Sequence, residues 1–232
     1  MDMWNGKKKA VTFSFDDGTT QDIRLVDILN KYQLKGTFFL NSAQLGLKWN
    51  LMSEGCLVNH EKIKPEQVKD LYRGHEVAGH TLAHINLTRV NDEEIARQVQ
   101  QDLDNLSMLC GYEVVGTAYP GGDFDARTAK IIKERTSARY ARTTKWSLDC
   151  SIVQREHLET YHPTIYYIEP FLEEFVQNFL DSNSEKPQLL CIFGHSYELD
   201  TNTIPWERFE NLCKMLAGRE DIFYGTNKEV LL

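Results

Sequence analysis

The sequence predicts an α/β protein whose strands form one parallel sheet rolled into a closed or nearly closed β/α barrel. Two observations lead there. Short apolar, β-branched and aromatic runs alternate along the chain with stretches whose apolar residues recur at helical spacing, and strands that alternate with helices pair in parallel through right-handed crossovers. The second observation is where the polar residues fall. After successive strands an acid, a histidine or an arginine stands just past the strand's end, where β/α barrels keep their chemistry.

Each element has a local reason. Ala10 to Phe15 is a β-type run that carries Asp16-Asp17 to Gly18, and a helix over Gln21 to Tyr32 follows, with Ile23, Val26, Ile28 and Leu29 near helical spacing. Gly36 precedes a second strand, Thr37 to Leu40. Residues 41–64 show no clear period and contain Gly46, Gly55 and His60, so they read as a long irregular excursion, a lid or rim loop. Pro65 starts a helix to about Arg73, and Gly74 to Gly79 is a short strand leading into His80-Thr81-Leu82-Ala83-His84. Asn91-Asp92-Glu93-Glu94 opens a helix that runs to Leu109 and is closed by Gly111.

Val114 to Ala118 is the next strand, ended by Tyr119-Pro120-Gly121-Gly122. Asp125 caps a helix through Glu134, and Ala138 to Ala141 is a strand followed by Arg142-Thr143-Thr144. Residues 146–167 are ambiguous, with extended potential at Thr164 to Tyr167. A helix over Pro170 to Leu180, a strand over Gln188 to Phe193 before His195, a helix over Pro205 to Ala217 and a strand over Ile222 to Tyr224 complete the chain. No repeat or low-complexity linker divides it, so a single domain over 1–232 is expected.

Composition narrows the function classes. At 232 residues the chain can bury a full core, and 41% hydrophobic with 26% charged residues is ordinary for a globular protein. A formal charge of −8 argues against nucleic-acid backbones and anionic membranes as partners, since both want a clustered basic face. No apolar stretch approaches the roughly 18 to 20 residues of a membrane span. Met1-Asp2-Met3-Trp4 lacks the apolar core of a secretion signal, so a cytoplasmic location is expected. Cys56, Cys110, Cys150, Cys191 and Cys213 are scattered without a CxxC pair, which points to buried reduced thiols rather than a zinc-cysteine site or disulfide framework.

The chemistry concentrates at two places. In Phe15-Asp16-Asp17-Gly18 the paired acids suit a plain turn after a strand, but adjacent carboxylates on opposite faces also suit two different tasks. His80 and His84 are four apart, which on one helical turn points both imidazoles the same way; solvated or capping histidines share that spacing. A carboxylate from Asp16 or Asp17 converging on that pair makes a two-histidine, one-aspartate site that suits zinc, with cobalt, nickel or iron also compatible. The other aspartate, held off the metal, is then placed to take a proton from bound water.

At this point the motifs resemble a family. Phe13-Ser14-Phe15-Asp16-Asp17-Gly18, the run from Gly74 to His84, the glycine turn at Gly121 and the histidine at His195 are similar to polysaccharide deacetylases of the NodB-homology type, over about residues 9–225. The resemblance implies a distorted β/α barrel of about seven strands and metal-dependent removal of an N- or O-acetyl group from a sugar, making an acetylated carbohydrate the expected partner. It implies Asp16 as general base, Asp17, His80 and His84 as metal ligands, the Gly121 N–H as oxyanion donor and His195 as general acid.

Two motifs depart from the pattern. The family's third-motif arginine, which braces the base, is Ala118 here, and Arg142 from the adjacent strand end is the candidate substitute, a surface arginine being the alternative. The fourth motif is matched only loosely by Trp146-Ser147-Leu148-Asp149, with Asp149 as a candidate partner of His195. Tyr119, Trp206 and Tyr197 are candidates for an aromatic wall against a sugar face, though aromatics also fill cores. Competing expectations are a hydrolase of a small non-sugar or cyclic amide, and a carbohydrate-binding protein with a decayed site.

Overall fold

The computed structural model describes residues 3–151, 153–201 and 204–232. The chain lays down β1 (Lys9–Asp16), α1 (Asp22–Lys31), β2 (Gly36–Leu40), β3 (Asn50–Ser53), β4 (Cys56–Asn59), α2 (Pro65–Leu71), β5 (Glu76–Gly79), α3 (Asp92–Cys110), β6 (Gly116–Ala118), α4 (Ala126–Arg135) and β7 (Tyr140–Arg142). It continues through β8 (Ile165–Tyr166), α5 (Leu172–Asp181), β9 (Gln188–His195), α6 (Trp206–Leu216), β10 (Ile222–Tyr224) and α7 (Asn227–Leu231).

Seven parallel strands run in the order β7-β6-β5-β2-β1-β9-β8. β9 pairs with the whole of β1, whose other edge is shared by β10 against Lys9 to Val11 and β2 against Phe13 to Asp16. The ends of this path approach each other through one parallel bridge between Arg142 and Tyr161, so the barrel is distorted and nearly closed. The expected fold class is the observed one.

Two-residue periodicity sorts the side chains into layers. Val11, Phe13 and Phe15 of β1 pack outward with Leu25, Leu29, Phe38, Ile192 and Phe209 into the large core between sheet and helices. Ala10 faces the opposite way, into a smaller inner cluster with Phe39, Ala78, Ala118, Tyr140, Leu189 and Cys191. The short helix α7 plugs that interior with a buried asparagine. Asn227 accepts from the Thr12 hydroxyl at 2.9 Å and donates to the Ser14 hydroxyl at 2.7 Å. This helix has no counterpart among the elements expected from the sequence.

Caps fall where the sequence puts them. Asn91 accepts from the Glu94 N–H, Asp125 accepts from the Thr128 N–H, and Gly111 ends α3 at φ 77°. Residues 41–64 correct an expectation, because they contain the antiparallel hairpin β3–β4. Its two-residue turn puts Glu54 at φ 48° and Gly55 at φ 73°, the paired left-handed conformation that suits a tight hairpin. Among the described residues no helix is long and apolar enough to cross a membrane, and Cys110, Cys150, Cys191 and Cys213 are buried thiols.

Candidate active site

The same periodicity that fills the barrel delivers polar side chains to its rim. Extending the inward-facing positions along each strand reaches Asp16 after Ala10, His80 after Ala78, Arg142 after Tyr140 and His195 after Cys191. All four sit at strand C-terminal ends; Asp16, His80 and His195 line one cavity of about 450 Å³ together with Asp17, His84 and Gly121, and Arg142 is tied to it through Asp16.

Around Asp16 the partners are cationic. The Arg142 guanidinium, fully buried between the rings of Phe39 and Phe193, ion-pairs with Asp16 Oδ1. Arg142 stands directly opposite Ala118 in the β6–β7 register, so the cation comes from the neighbouring strand at the same level of the barrel. His195 Nε2 lies 3.9 Å from Asp16 Oδ2. Burial by itself would raise the Asp16 carboxyl, but the charges of Arg142 and His195 and the Arg142 hydrogen bond outweigh it and hold the group below its ordinary value.

His195 is oriented from behind by Glu198. Its Nδ1 is 3.2 Å from Glu198 Oε1, and its backbone N–H donates to Glu198 Oε2 at 3.2 Å. The Tyr166 hydroxyl donates to the same carboxylate. Burial opposes the imidazolium, yet Glu198 and Asp16 prevail and push the His195 pKa up to about 9. The histidine's partner is therefore Glu198 and not Asp149. Asp149 is exposed and accepts instead from the Ser151 N–H at 2.8 Å, because the chain turns outward after Trp146. Glu198 escaped sequence reasoning, although its three-residue offset from His195 was a readable signal.

Asp17 sits in a different setting. Its oxygen, His80 and His84 bring one ligand atom each to within 4.8 Å of one another. His80 and His84 do not share a helical turn. They lie in an irregular turn in which Thr81 takes φ 62° and His84 φ 54°, held by Asn41 Nδ2 donating to the carbonyls of His80 and Thr81. The His80 backbone N–H donates to Leu40 O at 2.7 Å and to the buried carboxylate of Asp102 at 2.9 Å. Gly18, at φ 60°, makes the turn that brings the chain back from Asp17.

The donor set fits a divalent cation. His80 Nδ1 is 3.0 Å from the Ala118 carbonyl, an arrangement that protonates Nδ1 and leaves the Nε2 lone pair free. Burial pulls His80 down to about 4, so the ring is neutral at pH 7 as a ligand must be. Burial would raise the Asp17 carboxyl, but hydrogen bonding to His60 and the Lys62 charge hold it well below the usual range.

His60 and Lys62, both supplied by the 41–64 excursion, were not anticipated. His60 Nε2 is 3.5 Å from Asp17 Oδ2, with its ring packed between Trp49 and Tyr197 at 4.6 and 4.9 Å. Lys62 Nζ donates to the Asp17 carbonyl at 2.6 Å and to Oδ1 at 3.1 Å.

The aromatic wall differs from expectation. Tyr197 lines the cavity together with Trp49, Trp146, Tyr166 and Phe193. Tyr119 and Trp206 do not. Tyr119 is buried, packs its ring at a tilt against Phe124 and spends its hydroxyl on the Glu159 carbonyl at 2.7 Å. Trp206 opens α6 on its inward face, donates to Asp200 Oδ1 at 2.8 Å and carries Arg24 over its ring. Gly121, by contrast, does face the cavity, with φ 64° and open space around its α-carbon.

A family model described as polysaccharide deacetylase matches residues 4–138. This chain belongs to the polysaccharide deacetylase family. Among its relatives, the peptidoglycan-N-acetylglucosamine deacetylase of Bacillus cereus is 30% identical over 145 residues, 61% of this chain and 46% of the relative. The chitooligosaccharide deacetylase of Rhizobium leguminosarum bv. trifolii is 25% identical over 144 residues, 61% of this chain and 58% of that protein. The chain thus spans about half the length of these relatives.

Solved structures extend the fold likeness over nearly the whole chain. A T48 deacetylase with substrate superposes with a TM-score of 0.60 at 18% identity, covering 98% of this chain and 92% of that one. A variant of the peptidoglycan deacetylase PdaC from Bacillus subtilis gives 0.57 at 17% identity, covering 96% and 90%. The family-matched stretch holds Asp16, Asp17, His80, His84 and Gly121. Arg142, His195 and Glu198 lie beyond it and are placed by the barrel alone.

Proposed function

We propose that this chain is a divalent-metal-dependent hydrolase that removes an acetyl group from an acetylated carbohydrate, with the N-acetyl group of an amino sugar as the leading substrate and zinc as the leading ion. One observation carries the reading: the Asp17, His80 and His84 donors line the same cavity as Asp16 and His195, which are paired with Arg142 and Glu198 respectively. When bound, the ion supplies Lewis-acid polarisation of the acetyl carbonyl and a more acidic water.

The chain's own groups divide the remaining work. Arg142 occupies Asp16 Oδ1 and keeps the carboxylate ionised, leaving Oδ2 to accept the proton of the attacking water. The Gly121 N–H donates to the oxygen on which charge develops. His195 gives its Nε2 proton to the departing nitrogen, and Glu198 behind Nδ1 keeps the imidazolium available. Products are a free amine and acetic acid, with one water proton moved to Asp16 and one given by His195 to the amine; the acid then ionises to acetate by releasing its proton to solvent.

The apolar share of the cavity wall, from Trp49, Leu51, Trp146, Phe193 and Tyr197, favours a second reading in which a small acylated amide is hydrolysed. The intact donor set and the paired base and acid count against a decayed binding protein. Metal analysis followed by an acetate-release screen over N-acetylated and O-acetylated sugars and small amides tests the reading. Acetate release from an N-acetylated sugar that stops on chelation and returns with zinc is expected; release only from small amides would favour the second reading, and bound metal without any release would overturn both.

A further inference from the structure

Lys62 is a buried cation with an unusual neighbour. Its side chain is 1% exposed, and it ends on the carboxylate and the carbonyl of Asp17, the residue that joins His80 and His84 in the donor set. It reaches that place from the strand-like segment after β4, where Lys62 bridges antiparallel to Thr19 and its ammonium passes 5.4 Å from the Trp49 ring centre. No family motif quoted above contains this lysine, and the excursion that carries it is the part of the barrel least determined by strand and helix pattern. The ammonium does not line the cavity, so it is not arranged to touch substrate.

A positive charge fixed on a metal-binding carboxylate has an energetic sign. The Asp17 Oδ1 atom is 3.1 Å from Lys62 Nζ and 3.6 Å from His84 Nε2, so an ion shared by Asp17 and His84 would stand a few ångströms from the ammonium. Like charges at that separation, screened by buried protein rather than water, repel strongly. The same ammonium supports Asp17 when no ion is there, since Asp17 is 7% exposed and at φ 79°, a costly place for an unpaired carboxylate.

The orientation of Asp17 does not depend on the lysine alone. Its backbone N–H donates to Phe39 O at 2.9 Å, and His60 stands at Oδ2. Removing the ammonium therefore removes its charge more completely than it disturbs the ligand's position.

We propose that Lys62 is a resident counter-cation of Asp17 that weakens divalent-metal binding at the Asp17, His80 and His84 site and stabilises the metal-free protein, so that metal is held exchangeably. This rests on those three residues being the metal ligands. Zinc or cobalt affinity of the intact chain is measured by chelator competition for wild type, Lys62→Met and Lys62→Arg, alongside the melting temperature of each with and without metal. Lys62→Met, which keeps the side chain's length without its charge, is expected to bind at least about tenfold more tightly, the equivalent of about 1.4 kcal/mol. It should also melt lower than wild type without metal and gain more on metal addition. Lys62→Arg should stay within about threefold of wild type, a change of under about 1 kcal/mol.

Unchanged or weaker binding by Lys62→Met, with wild type binding normally, would overturn the proposal and leave Lys62 a structural strut. Equal tightening by Lys62→Arg would overturn it as well, because charge would not be the cause. Absence of metal binding in wild type and both variants would instead remove the metal-site reading on which it rests, and the proposal with it. Should Lys62→Met prove too unstable to titrate without metal, a larger metal-induced rise in melting temperature than wild type supports the proposal, and an equal rise overturns it.

Discussion

Asp16 and Asp17 are neighbours in sequence, yet they live in opposite circumstances. Asp16 is the last inward position of β1, and its partners are delivered by other strand ends: Arg142 from β7 and His195 from β9. Asp17 has already left the strand at φ 79°, and its partners come from turns and from the 41–64 excursion: His80, His84, His60 and Lys62. One residue's displacement gives the two carboxylates different partners at the same rim. In the proposed reading, strand geometry thus separates the acid that handles a proton from the one that would hold a metal without a second strand being needed.

The largest expected effect is on the Asp16 side. Asp16→Asn should lower turnover by the factor of roughly 10² to 10⁴ that a positioned base contributes, measured as acetate released per enzyme. Arg142→Ala comes next. With the guanidinium gone, a buried carboxylate is left uncompensated, so stability should drop by about 3 to 5 kcal/mol in urea unfolding. The surviving activity should show its acidic limb moved to higher pH, since the cation that held Asp16 low is missing. Arg142→Lys should restore much of that limb; a wild-type pH profile in Arg142→Ala would separate Arg142 from the base.

A smaller effect is expected from Glu198→Gln. His195 must be protonated to act as an acid, and its pKa of about 9 is raised by Glu198 and Asp16 against burial. Wild-type activity should therefore fall as pH rises through about 9, and in Glu198→Gln that fall should begin at lower pH. The stability linkage has the same direction. A folded-state pKa above the unfolded value of about 6.5 gives a contribution fully present below that value and lost as pH rises through about 9. An alkaline limb unmoved by Glu198→Gln would contradict the pairing.

The two sides also differ in how legible they were. On the Asp16 side, Asp16, Arg142 and His195 follow from strand ends, which composition and periodicity mark well, whereas Glu198 lies past the end of β9 and was missed. Arg142 could be nominated from its place after a strand, and it stands opposite Ala118 because parallel strands keep their levels. His195 was readable for the same reason, but Asp149 was a wrong partner, since the segment after β7 runs to the surface without a periodic pattern to follow.

The Asp17 side was only half legible. His80 and His84 stood out by type, while the irregular turn that joins them depends on Asn41 and Asp102 from other elements, which local spacing does not reveal. His60 and Lys62 were hidden because they follow a hairpin of short strands with exposed Met52 and Leu57 in place of a clean alternation. Tyr119 and Trp206 show the converse: an aromatic near a site in sequence is as suited to packing as to a wall, and here the Glu159 carbonyl and Asp200 take their polar ends.

The division between the acids is tested most directly by metal content and turnover in Asp16→Asn and Asp17→Asn, purified side by side and dialysed against trace zinc. Asp16→Asn should retain wild-type metal and lose acetate release, whereas Asp17→Asn should lose both. Equal metal content in the two variants would contradict the account.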